Sequence, residues 1–362
     1  MAEVQSSSSR SPLNGDEIFR RLAESGFEFL RRSISEASSE PRFAVVHFAT
    51  AIELLLKARL LREHWALIVR NSGEADQESF VRGEARTVTG EEALRRLEKI
   101  AGLVIPAEAA SEFRRIGAHR NRVLHFFHAT SGAEPNAAES ERVLREQHRG
   151  WFYLSLLLDE WSQHFGEFRQ EITRVRSLMK RHTEYLEVVF NSVKSTIDAR
   201  RAVGEVFVIC RGCGHPSAAR SALSTNVALL KCAVCEIVDS LVTFECTNED
   251  CGQMIEIHES HPGQRSCPGC RSFYNNAQLA EVLDTATADP LDYTARNCAR
   301  CTSPDSVVQN DEVYVCTECL TVDDSIYMCG WCSELQLGGG DLEDSFLTGC
   351  EFCDGRLGWE SK

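Results

Sequence analysis

No cysteine occurs before Cys210, although the 362-residue chain carries 16 of them. The N-terminal half therefore holds neither a disulfide nor a thiolate metal site. No apolar run approaches the ~20 residues of a membrane span, which excludes a membrane-spanning chain. The Ser-rich start, Met1 to Ser11, lacks an apolar signal-peptide core, which argues against secretion and for the cytoplasm. Residues 1–200 also lack net charge, with 29 Lys and Arg against 29 Asp and Glu. The whole net charge of −15 arises in residues 201–362, where 10 basic side chains face 25 acidic ones. With 43% hydrophobic and 26% charged residues, the chain is neither wholly disordered nor collagen-like. Its length calls for two or more domains, and the charge split separates a neutral half from an acidic, cysteine-rich one.

Strand-like alternation backed by turn chemistry is missing before Val206, and helical spacing takes its place. Residues 1–14 read as a disordered tail. Helices are expected over 15–37, over 41–70 with Pro41 in the first turn, and from Thr89 as cap to Ile100. Others should run from Pro106 to about His128, from Asn136 as cap to about Phe165, and on towards Arg200. Residues 71–89 read as a loop or short helix. The apolar 41–70 segment (Phe43, Val46, Ala49, Leu54, Leu55, Leu61, Trp65, Ile68) should form the buried centre of an all-α bundle of five or six helices over 15–200. Glu53, Lys57 and His64 form a polar stripe on it, read as a solvated face with an i,i+4 ion pair ahead of a functional stripe.

The segment 119–128 gathers three histidines and two arginines. Within it Arg120, Asn121 and His125 spell R-N-x-x-x-H. This resembles the ribonuclease signature of the HEPN superfamily (higher eukaryotes and prokaryotes nucleotide-binding), an Arg followed by a polar residue and then a His on one helix of an all-α bundle. The A-I-E-L-L-L-K-A-R-L run from Ala51 to Leu60 is also similar to this superfamily. The resemblance covers at most residues 15–200. It implies RNA cleavage at a site shared by two chains of a homodimer, with a toxin or antiviral-defence role.

Residue chemistry agrees. Cutting RNA without a metal needs a group to take the 2′-OH proton and a cation to hold the phosphorane charge. His125 suits the first role and Arg120 the second, while Asn121 can orient imidazole or phosphate. Arg120 and His125 stand ~140° apart around one helix, so two copies would bring them together more easily than one. Ser111 to His128 holds four Arg and one Glu, a basic patch that favours phosphate. The bland alternative is that the arginines are solvated and His125 is a core histidine beside Phe126 and Phe127. A bundle that binds nucleotide or RNA without cutting it stands between the two.

The cysteines fall into eight close pairs: Cys210/Cys213, Cys232/Cys235, Cys246/Cys251, Cys267/Cys270, Cys298/Cys301, Cys316/Cys319, Cys329/Cys332 and Cys350/Cys353. Seven are C-x-x-C and one is C-x₄-C, and two such knuckles complete a tetrahedral zinc site. Pairing neighbours in order leaves 18, 15, 14 and 17 residues between knuckles, each room for the hairpin of a zinc ribbon. Cys232 to Cys246 and Cys316 to Cys329 look like copies of one unit. This predicts a small β-rich array with ribbons one and two over 205–272, a linker over 273–297, and ribbons three and four over 298–356.

Four structural Zn²⁺ ions per chain are expected, since four thiolates leave no open position for water and no His or carboxylate is spaced to replace one. Iron in a rubredoxin-like site, and Cys232/Cys235 meeting Cys246/Cys251, stay open. A disulfide framework does not fit the context. The acidic ribbons should meet a protein partner or basic trigger rather than a nucleic-acid backbone, and RNA should meet the helical half. The reading is a metal-independent endoribonuclease with a ribbon tail for sensing or docking. The alternative is a non-catalytic zinc-ribbon adaptor whose helical domain dimerises or binds nucleotide or RNA.

Overall fold

The computed structural model describes residues 15–125, 137–286, 295–340 and 342–360. Two compact units divide at Ser192/Val193, the first helical and the second rich in β-structure. Among the described residues no helix is long and apolar enough to cross a membrane.

The first unit comprises α1 (Gly15–Glu36), α2 (Pro41–Leu61), α3 (Gln77–Val81), α4 (Gly90–Lys99), α5 (Ala107–His125), α6 (Ala137–Glu160), α7 (Arg169–Met179) and the start of α8 (Thr183–Ala202). That is eight helices among the described residues where five or six were expected. Pro41 sits in the first turn of α2, and Thr89 caps α4 by accepting from the Glu92 N–H at 3.3 Å. The expected cap Asn136 and His128 lie outside the described residues.

Two boundaries differ, for physical reasons. The helix expected over 41–70 stops at Leu61, and a separate 3₁₀ turn follows over Trp65–Ile68. His64 caps that turn, taking the Ala66 N–H on Nδ1 at 3.2 Å. Buried Arg96 of α4 then collects the carbonyls of Leu67, Val69 and Arg70 at 2.7–2.9 Å, holding the chain out of helix. The last helix is likewise two, α7 and α8, broken before Thr183.

α1 lies close against α2 where Gly26 leaves room for Leu55; a Cβ at Gly26 would come within 2.8 Å of the leucine Cγ. Phe19, Phe27, Phe165 and Phe168 interlock nearby, with ring centroids 5.4–6.5 Å apart. The polar stripe is only partly solvated, with His64 exposed beyond the end of α2 and Glu53 half-buried. Lys57 is buried, and its ammonium donates to Glu53 at 2.6 Å and to the Thr87 hydroxyl at 3.0 Å. The i,i+4 pair exists, but it ties α2 to the segment before α4.

Inside this unit His148 is fully buried against Trp151 and His182, and neither ring nitrogen has a protein hydrogen-bond partner. Burial, with His182 adding to it and Glu184 opposing it, brings its pKa down to about 4. The unfolded chain binds this proton near pH 6.5, so stability is complete above that value and falls as pH drops towards 4. The loss attributable to His148 is roughly 3 kcal/mol. His182 and His119, also depressed mainly by burial, add to the slope. His148→Leu should flatten the pH dependence of the urea midpoint of the helical signal and raise stability at pH 5. An unchanged slope would remove His148 from the account.

The second unit is built from paired strands. β1 (Val206–Val208), β2 (Ala218–Ala222), β3 (Val227–Cys232), β4 (Val238–Glu245) and β5 (Met254–His258) form one antiparallel sheet in chain order. Ribbons one and two therefore share a sheet. β4, which runs from the second knuckle to the third, is its buried fourth strand, with Leu229↔Ser240 and Val242↔Ile257 in register.

After α9 (Asn276–Leu283) come β6 (Arg296–Cys298), β7 (Val307–Asn310), β8 (Val313–Cys316), β9 (Val322–Asp323), β10 (Tyr327–Met328) and β11 (Leu335–Leu337). Two short helices follow, α10 (Ser345–Thr348) and α11 (Gly355–Glu360). β7, β8 and β9 form one small sheet; β10 and β11 pair antiparallel, and β11 runs parallel to β6. The expected copy of β4 is thus split into β9 and β10. Asp323 turns the chain between them, its carboxylate accepting from the Ser325 N–H at 3.2 Å.

The segment expected as a linker is largely built into the fold. Asn275 caps α9 with a full capping box, and Tyr274, Leu279 and Leu283 pack in one apolar core with Val242, Phe244 and Ile257 of the first sheet and Val308, Val313 and Val315 of β7 and β8. Fully buried Asn310 reinforces that join, donating to Asn226 at 3.0 Å and to the Leu283 carbonyl at 2.7 Å. Residues 287–294 of that segment lie outside the described residues.

Candidate metal centres and the Arg120 cleft

All sixteen cysteines are free thiols gathered into four quartets: Cys210/Cys213/Cys232/Cys235, Cys246/Cys251/Cys267/Cys270, Cys298/Cys301/Cys316/Cys319 and Cys329/Cys332/Cys350/Cys353. In each, the four sulfurs lie within 4.8 Å of one another. Neighbouring knuckles have paired in order, and Cys232/Cys235 does not meet Cys246/Cys251. The closest sulfurs across each site stand 3.5–3.8 Å apart. A disulfide needs ~2.05 Å. Tetrahedral zinc with bonds of ~2.3 Å needs sulfurs ~3.8 Å apart, so the quartets fit a zinc-sized ion.

Local backbone explains why these short sequences aim their thiols together. In six of the C-x-x-C turns the first cysteine N–H donates to the carbonyl five residues on, as from Cys210 to His215 at 2.8 Å and Cys316 to Thr321 at 3.0 Å. Seven of the eight knuckles place the residue after the second cysteine in the left-handed region: Gly214, Glu236, Gly252, Arg271, Thr302, Leu320 and Ser333, with φ of 54–74°. The chain turns sharply there, and further backbone N–H groups point at sulfur, such as Val234 and Cys235 to Cys232 at 3.3 and 3.4 Å.

Hydroxyls that the sequence did not single out complete the surroundings. Ser217 lies 3.2 Å from Cys232, Ser306 3.4 Å from Cys316, Thr321 3.1 Å from Cys319, and Tyr274 donates to Cys246 at 3.3 Å. Towards a thiolate each hydroxyl donates, spreading the sulfur's charge. Hydrogen bonds from Cys235, Ser217 and two backbone N–H groups bring Cys232 down to about 4, while contact with Cys232 and burial push Cys235 up. The Ser272 hydroxyl, first among its donors, brings Cys270 down to about 6. In the first two quartets at least one thiol is thus more easily ionised than the ordinary cysteine. A divalent cation would displace the remaining thiol protons and let four thiolates coexist.

The other candidate site is on the helical unit. A cleft of about 380 Å³ opens between α2, the N-terminal turn of α4 and α5. Glu53, Thr89, Gly90, Glu91, Arg114, Arg120 and Asn121 are among the residues lining it. The structure brings Arg120 and Asn121 together: the guanidinium donates to Asn121 Oδ1 at 3.4 Å. Arg120 is half-buried, and among the described residues it has no carboxylate partner. Its neighbours on α5 are engaged, Arg114 with Glu91 at 3.9 Å, Arg115 with Glu112 at 2.7 Å and Arg122 with the His119 ring at 2.9 Å. His125 is the last described residue of α5, and its side chain lies outside the described residues. The helix is continuous between them, so positions 120 and 125 stand ~140° apart around its axis.

His119, to which the motif assigns no role, has a structural one. It is buried, and because Arg122 donates to its Nδ1, its Nε2–H points to Glu146 at 2.7 Å. Burial holds its pKa below the ordinary value. The sequence also passed over Asp239 and His258, buried together on β4 and β5 with Nδ1 and carboxylate 2.8 Å apart. Asp239 further accepts from the Ser260 N–H and hydroxyl, so the pair anchors the turn after β5. Compared with family models, with curated proteins and with solved structures, the chain matches none.

Proposed function

We propose that the helical unit is a HEPN-like endoribonuclease and that the second unit is a four-zinc ribbon array that senses or docks a partner. The observation that carries the catalytic part is Arg120: a half-buried guanidinium in no ion pair among the described residues, beside Asn121, on a cleft, and on the same helix as His125. A cation left unpaired in a domain otherwise rich in ion pairs suits an anionic ligand such as phosphate.

In this reading His125 takes the proton of the RNA 2′-OH as that oxygen attacks phosphorus. Arg120 holds the phosphorane charge, Asn121 orients the phosphate, and the 5′-oxygen leaves with a proton taken from water. The ~140° separation favours a homodimer in which Arg120 of one copy and His125 of the other share a site. In this reading catalysis needs no metal, since the RNA's own 2′-OH is the nucleophile and His125 and Arg120 supply the proton transfer and the charge. The quartets would hold zinc in a structural role, since a complete thiolate set offers no position to water.

The test is the nucleophile. The full-length protein should cut single-stranded RNA, leave 2′,3′-cyclic phosphate ends, and spare DNA of the same sequence. Light scattering should find at least a dimer. Cleaved DNA, or activity retained in a strict monomer, would overturn the shared 2′-OH site.

A further inference from the structure

The fourth ribbon, around Cys329, Cys332, Cys350 and Cys353, has almost no core of its own. Among its described residues only Leu337 of β11, the strand after the Cys332 knuckle, enters the two apolar cores of this unit. Trp331, Leu335, Leu342 and Phe352 are half-buried, while six of its large apolar side chains face outward: Tyr327 is 51% exposed, Met328 62%, Phe346 49%, Leu347 43%, Leu357 57% and Trp359 72%. Burying these would have favoured folding, and solvating them gains the chain nothing.

They belong to one small body rather than to loose ends. The Trp331 ring meets Phe346 edge-on at 5.4 Å, α10 lies so close to the knuckle that a Cβ on Gly330 would stand 3.2 Å from the Phe346 nitrogen, and α10 and α11 touch through the Leu347 carbonyl and Gly355.

Charge decides what fits. Residues 327–360 hold seven acidic side chains against one basic, Arg356, which pairs with Glu360 at 2.7 Å. A thiolate-bound zinc adds a further formal −2. A nucleic-acid backbone or anionic lipid would be repelled, and the same ribbon of a second copy would bring the same sign. A basic chain with apolar anchors satisfies both the exposed rings and the field around them.

We propose that the fourth ribbon is a docking surface for a basic, amphipathic segment of a partner protein, with Met328 and Trp359 among its anchors. This deepens the docking role given to the ribbons above, and it is read out by binding, so its failure would leave the ribonuclease reading untouched.

The probe is a fluorescein-labelled peptide of Leu and Lys at helical spacing, added to the metal-loaded full-length protein at ~150 mM salt, where exposed charges are largely screened beyond ~8 Å. Fluorescence anisotropy should show saturable binding, roughly tenfold or more tighter than a Ser–Lys peptide of equal charge. A Leu–Glu peptide should not bind. Trp359→Ser and Met328→Ser should each weaken the Leu–Lys peptide severalfold or more, whereas Leu223→Ser, at an exposed apolar position at the end of β2, should not. Equal affinity for the Ser–Lys and Leu–Lys peptides would overturn the proposal, as would indifference to both fourth-ribbon variants. Concentration-dependent self-association that Trp359→Ser abolishes would also overturn it, by naming a second copy as the occupant.

Discussion

Stripping metal from the protein is expected to unfold residues 193–362 while the helices of the first unit remain formed. The ribbon unit has two modest apolar cores, and its four quartets bring sixteen thiols into close contact. Without a cation those sulfurs must keep protons or repel one another. With one, each site supplies on the order of 10 kcal/mol or more, by analogy with zinc-binding peptides. That is comparable to the whole stability of an ordinary domain, ~5–15 kcal/mol, so losing four such terms leaves no folded state. Chelation should therefore abolish the near-ultraviolet signal of Trp331, which packs on Phe346, and take up protons that reloading releases. The helical far-ultraviolet signal should largely persist. Of the sixteen cysteines only Cys270 is exposed, so the second site should exchange its metal first. Elemental analysis of purified protein should find four zinc ions per chain. Two ions, or a dominant iron signal, would contradict four zinc quartets.

The cysteine framework was the most legible part of the chain because its geometry is local. A C-x-x-C turn fixes two sulfurs within four residues, and gaps of 14–18 residues let one hairpin join two turns. Helix starts with local chemistry were also readable, as Pro41 and Thr89 show. What failed depended on partners distant in sequence. α2 stops short because Arg96, some thirty residues on, takes three carbonyls that the sequence pattern left to a helix. The stretch read as a linker is structured because Leu279 and Leu283 find their core among β7 and β8, beyond a knuckle pair. Lys57 looked solvated because Thr87, its second partner, lies thirty residues away. At the candidate catalytic site the motif named Arg120 and Asn121, but not the cleft that α2 and the start of α4 make for them.

The second large effect is expected at that cleft. If Arg120 holds a phosphorane and His125 moves the proton, removing either should cripple cleavage rather than binding alone. Losses of ~10²–10⁴ are typical for a general acid or base, and Arg120→Ala should cost a comparable factor through lost charge stabilisation. Asn121→Ala should be milder, since an orienting amide leaves both charges in place. His119→Ala is a control for folding instead: it empties a buried site and leaves Glu146 without its imidazole partner. Its activity should fall only as far as its stability does.

The most direct measurement is cleavage of labelled single-stranded RNA by wild type and by Arg120→Ala, Asn121→Ala and His125→Ala, each in brief EDTA that leaves the thiolate metals bound. Circular dichroism should confirm that every variant is folded. The account predicts that wild type cuts in EDTA and that Arg120→Ala and His125→Ala lose nearly all activity with folds intact. Undiminished cleavage by His125→Ala, or a folded, metal-loaded wild type that cuts no RNA, would contradict it and leave the adaptor reading standing.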